Sequence, residues 1–310
     1  MHVTVTFNPA VDQTLAFDEP MAPDRVMRAS SARFDAAGKG INVAQFLAAM
    51  GRDAVATGVL GGFTGQFIRE RLTADGVATA FVEAPEPTRL NTTALAADGE
   101  YKLNHDGPTV DADAVDAILD AVREREPDTV VVSGSLPPGV TTETVDELAT
   151  AGAWDTVVDM GGDALQALDA QYALCKPNRP ELGAATGADV STVEGCARAA
   201  AAFRERGFDR VLASLGGDGV VLVTGSTALH ADALDADVVD TVGAGDGLLA
   251  GALGAWADGA DDETALRTGV AVATRMVERP GTAPPSMAGL DELRSGVAVR
   301  ELTVEPGHSG

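Results

Sequence analysis

Short continuous apolar runs recur along the chain: Val3-Thr4-Val5-Thr6-Phe7, Val55 to Leu60, Val77 to Val82, Thr129 to Val132, Thr156 to Val158, Tyr172 to Cys175, Arg210 to Ala213 and Val220 to Val223. Between most of them the apolar spacing changes to three and four residues, as in Asp111–Glu126, where Val115, Ile118, Leu119 and Val122 share one helical face. Further helices are expected from Val43 to Met50, up to Leu72, over 141–151, 192–206 and 248–257, and from Asp262 to about Arg279. Uninterrupted apolar strands imply burial on both faces, and their alternation with helices implies a mainly parallel sheet between two helical layers. The runs at 210–214 and 220–223, joined by a turn, suit an antiparallel edge.

Two stretches break this rhythm. Residues 13–35 alternate weakly (Leu15, Phe17, Val26, Phe34) without a helical face. Residues 88–104 alternate on either side of Asp98-Gly99, the pattern of a hairpin. Both read as a small sheet appended to the main one. No internal repeat or linker divides residues 1–310, so a single α/β domain is expected, with a tail from Glu305 to Gly310 expected to fray.

Charge and composition narrow the field. The chain carries 47 acidic against 22 basic residues, a formal net charge of −25. That balance repels nucleic acid. Only Lys39, Lys102 and Lys176 are lysines, and this acidic, lysine-poor, alanine-rich make-up resembles proteins of salt-loving archaea. Cys175 and Cys196 are too few for a disulfide framework, which points to a reducing, cytoplasmic compartment. The four histidines are scattered, and no signal peptide or membrane-spanning run is read.

Candidate chemistry gathers at two glycine-rich turns. Asp240-Thr241-Val242-Gly243-Ala244-Gly245-Asp246-Gly247 leads into a small-residue apolar helix. A helix start leaves N–H groups unpaired and carries partial positive charge, so it accepts a phosphate or, equally, the side chain of its own Asp246 as a cap. Ala36-Ala37-Gly38-Lys39-Gly40-Ile41-Asn42 fits neither the nucleotide P-loop, for lack of a glycine at 33, nor the dinucleotide fingerprint, whose third glycine would fall on Val43. What remains is a glycine-lined backbone offering Lys39 and Asn42 to hydroxyls and an anion. Asp12 follows the first strand, where ligands gather in open α/β sheets, or caps a turn.

Taken together, Gly40-Ile41-Asn42 and Gly243-Ala244-Gly245-Asp246 resemble the two markers of the ribokinase-like (PfkB-type) sugar kinases. The likeness runs from Val3 to about Leu293 and takes in Asn8-Pro9-Ala10-Val11-Asp12, Gly61-Gly62-Phe63-Thr64-Gly65, Thr88-Arg89-Leu90-Asn91, Ser133-Gly134-Ser135-Leu136-Pro137, Lys176-Pro177-Asn178-Arg179-Pro180-Glu181 and Ser214-Leu215-Gly216-Gly217-Asp218-Gly219. Its Ala-Ala-Gly-Lys-Gly form is similar to the 1-phosphofructokinase branch and its tagatose 6-phosphate kinase neighbours. The resemblance implies a three-layer fold with a β-sheet lid, ATP and Mg²⁺ as cofactors, and a homodimer joined through the lid. It implies Asp246 as catalytic base and the N–H groups of Gly243, Ala244 and Gly245 as an anion hole. Asp12, Gly38, Asn42 and Ser135 would hold the sugar; Lys39, Arg89 and Lys102, helped by Arg25 or Arg28, would face its phosphate. Lys176, Asn178, Ser214 and Gly216 would lie along ATP, and Asn178 with Glu181 would hold magnesium through water. Gly247 departs from the serine usual there. The implied reaction is phosphorylation of fructose 1-phosphate, with 6-phosphofructokinase and tagatose 6-phosphate kinase activities as alternatives and a non-catalytic sugar-phosphate sensor as the reading from another class.

Overall fold

The computed structural model describes residues 1–304; the expected frayed tail lies outside the described residues. The first β-branched run forms strand β1 (His2–Thr6), and Asn8-Pro9 turns the chain out of that sheet into β2 (Ala10–Ala16) and β3 (Ser31–Ala37). Helix α1 (Lys39–Ala49) starts four residues before the expected Val43, because Gly38, at φ 138°, takes a backbone that few other residues adopt and lets the helix begin at Lys39. Strand β4 (Ala54–Leu60) and α2 (Gly62–Ala74) follow. The run at 77–82 is broken into two pieces, β5 (Ala78–Thr79) and β6 (Val82–Glu83), both beside β4. The expected hairpin is present as β7 (Arg89–Ala96) and β8 (Gly99–Leu103).

The second half repeats strand and helix: α3 (Ala112–Arg123), β9 (Thr129–Ser133), α4 (Thr142–Thr150), β10 (Asp155–Asp159), α5 (Gly162–Ala167), β11 (Tyr172–Cys175), α6 (Arg179–Thr186), α7 (Val193–Arg204) and β12 (Phe208–Ser214). Strands β13 (Val220–Val223), β14 (Ala228–Ala231) and β15 (Val299–Glu301) make the antiparallel edge; α8 (Ala244–Ala257), α9 (Asp262–Val277) and α10 (Leu290–Gly296) lie between β14 and β15 in the chain. Across the main sheet the order is β15-β14-β13-β12-β11-β10-β9-β1-β4-β5, parallel from β12 to β5.

Alternate residues of each strand face opposite helical layers. Val130 and Val132 of β9 join the core under α3, α4 and α7, while Val131 joins the core under α1, α8 and α9. That is the physical content of the unbroken apolar runs. Strands β3-β2-β7-β8 form a separate sheet, with β2 antiparallel to β3 and parallel to β7. Asp12 therefore sits inside a strand of the small sheet, opposite Asn91, rather than at the end of a main-sheet strand. No helix among the described residues is long and apolar enough to cross a membrane.

Helices α8 and α9 cross at glycines. A Cβ at Gly251 would meet Gly269 Cα at 2.8 Å and the Thr268 carbonyl at 2.9 Å, both backbone atoms that cannot swing aside. Gly251→Val is expected to destabilise the protein by about 3 kcal/mol through overpacking, read as a lower denaturant midpoint in concentrated potassium chloride. An unchanged midpoint would show that the two helices separate at little cost.

Candidate active site

The parallel strands deliver their carboxyl ends to one cleft of about 930 Å³. Asn8 follows β1, Ser135 follows β9, Asp159 ends β10, Lys176 follows β11 and Ser214 ends β12. The small sheet supplies Asp12, Arg89 and Asn91 from above. Of the residues expected at the site, Asp12, Gly38, Lys39, Asn42, Arg89, Ser135, Lys176, Asn178, Ser214, Gly216, Gly243, Ala244, Gly245 and Asp246 all line this cleft.

Asp246 lies in the first turn of α8 but does not cap it. The N-cap is Gly243, in the left-handed region at φ 78°, and no side chain bonds the first-turn N–H groups. The carboxylate instead accepts a hydrogen bond from Asn42 Nδ2 at 2.7 Å, one turn into α1. Asp246 is 6% exposed, and burial, followed by the charge of Asp159, raises its pKa to about 6. Asn42 and the two lysines oppose that rise. The turn before α8 is held by Asp240, which accepts from Val242 N and Gly281 N, each at 3.0 Å. Ala244 N–H already reaches Thr241 O at 3.3 Å, so the first-turn N–H groups beyond it are the better anion donors.

Asp159 was not legible as a site residue. It is fully buried beneath the cleft, with Lys39 Nζ donating to Oδ1 at 2.8 Å and Lys176 Nζ lying 3.2 Å from Oδ2. Burial works against the charge of Lys39, but the Asp159 carboxylate outweighs it and the pKa is raised. A Cβ at Gly245 would lie 3.1 Å from Lys176 Nζ, so the small residue leaves room for that ammonium beside the helix start.

At the other end of the cleft Asp12 accepts from Asn91 Nδ2 at 3.0 Å, and burial raises its pKa against the pull of Asn91 and Arg89. Arg89 donates to His105 O and Asn8 O, each at 3.0 Å, while Asn8 Nδ2 donates to Ser135 Oγ at 3.1 Å. Asn8 and Asn91 are thus further site residues. Both lay within motifs quoted for the resemblance, which gave neither of them a role.

Four expected contributors stand elsewhere. Lys102 is on β8 with its side chain 60% exposed, 3.4 Å from Glu100, and it does not line the cleft. Arg25 pairs with Glu19 in the exposed loop after β2, and Arg28 is exposed in the same loop. Glu181 caps rather than lines: Asn178 Oδ1 accepts from Glu181 N and Glu181 Oε2 accepts from Asn178 N, each at 2.8 Å. This reciprocal pair starts α6. Among the described residues no group of three or more His, Cys, Asp or Glu stands ready to hold a metal ion directly.

The arrangement is similar to known proteins over nearly its whole length. A 1-phosphofructokinase of Haloferax volcanii is 53% identical over 304 residues, covering 98% of this chain and 99% of that protein. The crystal structure of phosphofructokinase-2 from Escherichia coli in complex with potassium superposes with a TM-score of 0.87 at 29% identity, covering 94% of this chain and 97% of that one. An Arabidopsis thaliana ribokinase complexed with ribose and ATP shares the fold, with a TM-score of 0.77 at 22% identity and coverage of 94% and 98%. The pfkB family carbohydrate kinase model matches residues 5–288, a span that holds every cleft residue described above, and the chain belongs to that family.

Proposed function

We propose that this chain is an ATP- and magnesium-dependent kinase that phosphorylates the 6-hydroxyl of fructose 1-phosphate, giving fructose 1,6-bisphosphate. The observation that carries the reading is the buried Asp246 carboxylate, aimed by Asn42 across the open start of α8 and sharing its cleft with the Arg89 guanidinium. A base, an anion-binding helix start and a cation for a resident phosphate are what phosphoryl transfer to a sugar phosphate needs. The 53% identity to a 1-phosphofructokinase supports the 1-phosphate as the resident group.

Asp246 accepts the proton of the attacking hydroxyl as the new bond forms. The first-turn N–H groups of α8 and the two ammonium groups face the charge on the transferring phosphoryl group. Asp12, Asn42 and Ser135 take sugar hydroxyls, and Gly38 keeps the approach open. The nucleotide fits the arm of the cleft formed by Lys176, Asn178, Ser214 and Gly216, where Gly216 at φ 65° has no neighbour within 4 Å of a would-be Cβ. Magnesium, when bound, neutralises phosphate charge. The capping pair commits Asn178 Oδ1 and Glu181 Oε2 to backbone N–H groups, which leaves Glu181 Oε1 and the second lone pair of Asn178 Oδ1 as the acceptors that would hold a cation through water. The small sheet acts as a lid on the single domain. Its exposed Phe34, Leu95, Tyr101 and Leu103 suit a homodimer formed lid to lid, and the free, buried cysteines suit the cytoplasm.

The raised pKa of Asp246 has a direct kinetic consequence. Below about pH 6 the carboxyl is protonated and cannot accept the hydroxyl proton. We expect kcat/KM to fall about tenfold per pH unit on the acid side of pH 6 and to level off above it. An acid limb centred near pH 4 would show that burial does not raise the pKa of the base in the working enzyme, and no acid limb at all would remove Asp246 from the role.

The deciding experiment is ADP release at high potassium chloride with magnesium ATP, comparing fructose 1-phosphate, fructose 6-phosphate, tagatose 6-phosphate and fructose by kcat/KM. A clear lead for fructose 1-phosphate is expected. A lead for another sugar phosphate keeps the chemistry and changes the substrate, while no turnover with any acceptor overturns the kinase reading in favour of a sensor.

A further inference from the structure

We propose that Asp159 is a positioning residue for phosphoryl transfer: one buried carboxylate fixes the ammonium groups of Lys39 and Lys176 at the transfer point, beside Asp246. The proposal rests on the kinase reading above. Asp159 has no surface in the cleft and touches no ligand that enters it, so any part it plays runs through the lysines. Those are two of the three lysines in the whole chain, and they come from distant elements, the first residue of α1 and the loop after β11. One oxygen of Asp159 meets each ammonium, at 2.8 and 3.2 Å.

The physical need is clear. A lysine ammonium is a point charge on a flexible stem, and a buried one without a counter-ion gives up its proton or turns away. Lys176 is 4% exposed, and its ammonium lies 3.2 Å from Asp159 Oδ2. In this bracket Asp159 takes one side of each ammonium group, and their remaining N–H donors stay aimed past Asp246 at phosphoryl oxygens in the cleft.

The same geometry moves Lys39 to a different duty from the one the sequence suggested. Lys39 and Asn42 are three residues apart on α1 and so share a face, and Asn42 bonds Asp246. Arg89 hangs from the carbonyls of Asn8 and His105 at the lid end. Lys39 therefore serves the phosphoryl group in flight, and Arg89 serves the phosphate already on the sugar.

The test uses the full chain in high salt, with Asp159→Asn, Lys39→Met and the double variant. Asp159→Asn is expected to lower kcat by about 100-fold, leaving KM for fructose 1-phosphate within about threefold and the half-maximal magnesium concentration within about twofold. The double variant is expected to lose less than the product of the two single losses, because both changes remove the Lys39 contact while only Asp159→Asn removes the Lys176 contact. Wild-type kcat in Asp159→Asn overturns the proposal, as does a fully multiplicative loss in the double variant. A rise of tenfold or more in the magnesium requirement places Asp159 on the metal and also overturns it. Should Asp159→Asn fail to fold, Lys39→Met decides alone: a fall in kcat at constant KM supports the bracket, and a rise in KM at constant kcat returns Lys39 to the sugar's own phosphate and overturns it. If the unmodified enzyme turns over no sugar phosphate, the kinase reading fails and takes this proposal with it; if only Asp159→Asn stays active, the kinase reading stands.

Discussion

Asp246→Asn is expected to lower kcat on fructose 1-phosphate by roughly 10³-fold, the loss of a positioned general base. The amide keeps the size of the carboxylate, and its oxygen still accepts from Asn42 Nδ2, so the start of α8 keeps its shape. Binding of magnesium ATP should survive, since the nucleotide arm of the cleft is untouched. The variant also carries a second, opposite expectation. A carboxyl whose folded pKa is raised from 3.8 to about 6 binds a proton more readily folded than unfolded. It therefore favours the folded state at low pH and costs stability as pH rises through about 4 to 6. Above that window the ionised, buried Asp246 is a destabilising group, and its removal should stabilise the protein by roughly 1–3 kcal/mol at pH 7.5. A higher melting temperature together with lost turnover would mark Asp246 as a residue kept for chemistry. Lower stability together with lost turnover would mark it as part of the scaffold.

That opposition explains why the helix start was hard to read. An aspartate in the first turn of a helix is ordinarily a cap, and only the position of Asn42, 204 residues away in the chain, shows it turned inward. The large features were legible for a simpler reason. Strands buried on both faces have no polar alternation, so β9 and β12 are visible as letters, and the two glycine turns announce helix starts. What was missed depends on distant partners. Asp159 is one acid among 47 in the sequence; its burial follows from β10 lying beside β11 while α1 brings Lys39 over its end. Helix α6 was overlooked because Asn178 and Glu181 were read as chemistry, although the same two residues, with Pro180 between them, spell a capping box. Lys102 was drawn into the site by the resemblance, which says nothing of side-chain direction; on β8 the side chain is 60% exposed. Short β14 and β15 carry too few residues for a periodic signal and are fixed by pairing at the sheet edge.

Arg89→Met is expected to raise KM for fructose 1-phosphate by about 100-fold while leaving KM for ATP nearly unchanged. The figure follows from removing one charged, hydrogen-bonding partner of a phosphate, worth about 3 kcal/mol, where each 1.4 kcal/mol is tenfold. A guanidinium has five N–H donors. In Arg89, Nη1 bonds His105 O and Nη2 bonds Asn8 O and reaches Ser135 Oγ at 3.5 Å, so the second N–H of Nη1 remains for an anion. The carbonyl bonds aim the fork; burial lowers the Arg89 pKa, and the charges of Asp12 and Asp106 oppose that fall. Substrate choice is the sharper readout. If Arg89 serves the resident phosphate, the advantage of fructose 1-phosphate over fructose collapses in the variant, because fructose never used that contact. If Arg89 is instead a strap between β7, the Asn8 turn and the His105 segment, both sugars lose kcat alike and the melting temperature falls. Arg89→Lys separates the two further: it restores charge without the fork, so it should recover part of the affinity for the sugar phosphate but little of the strap.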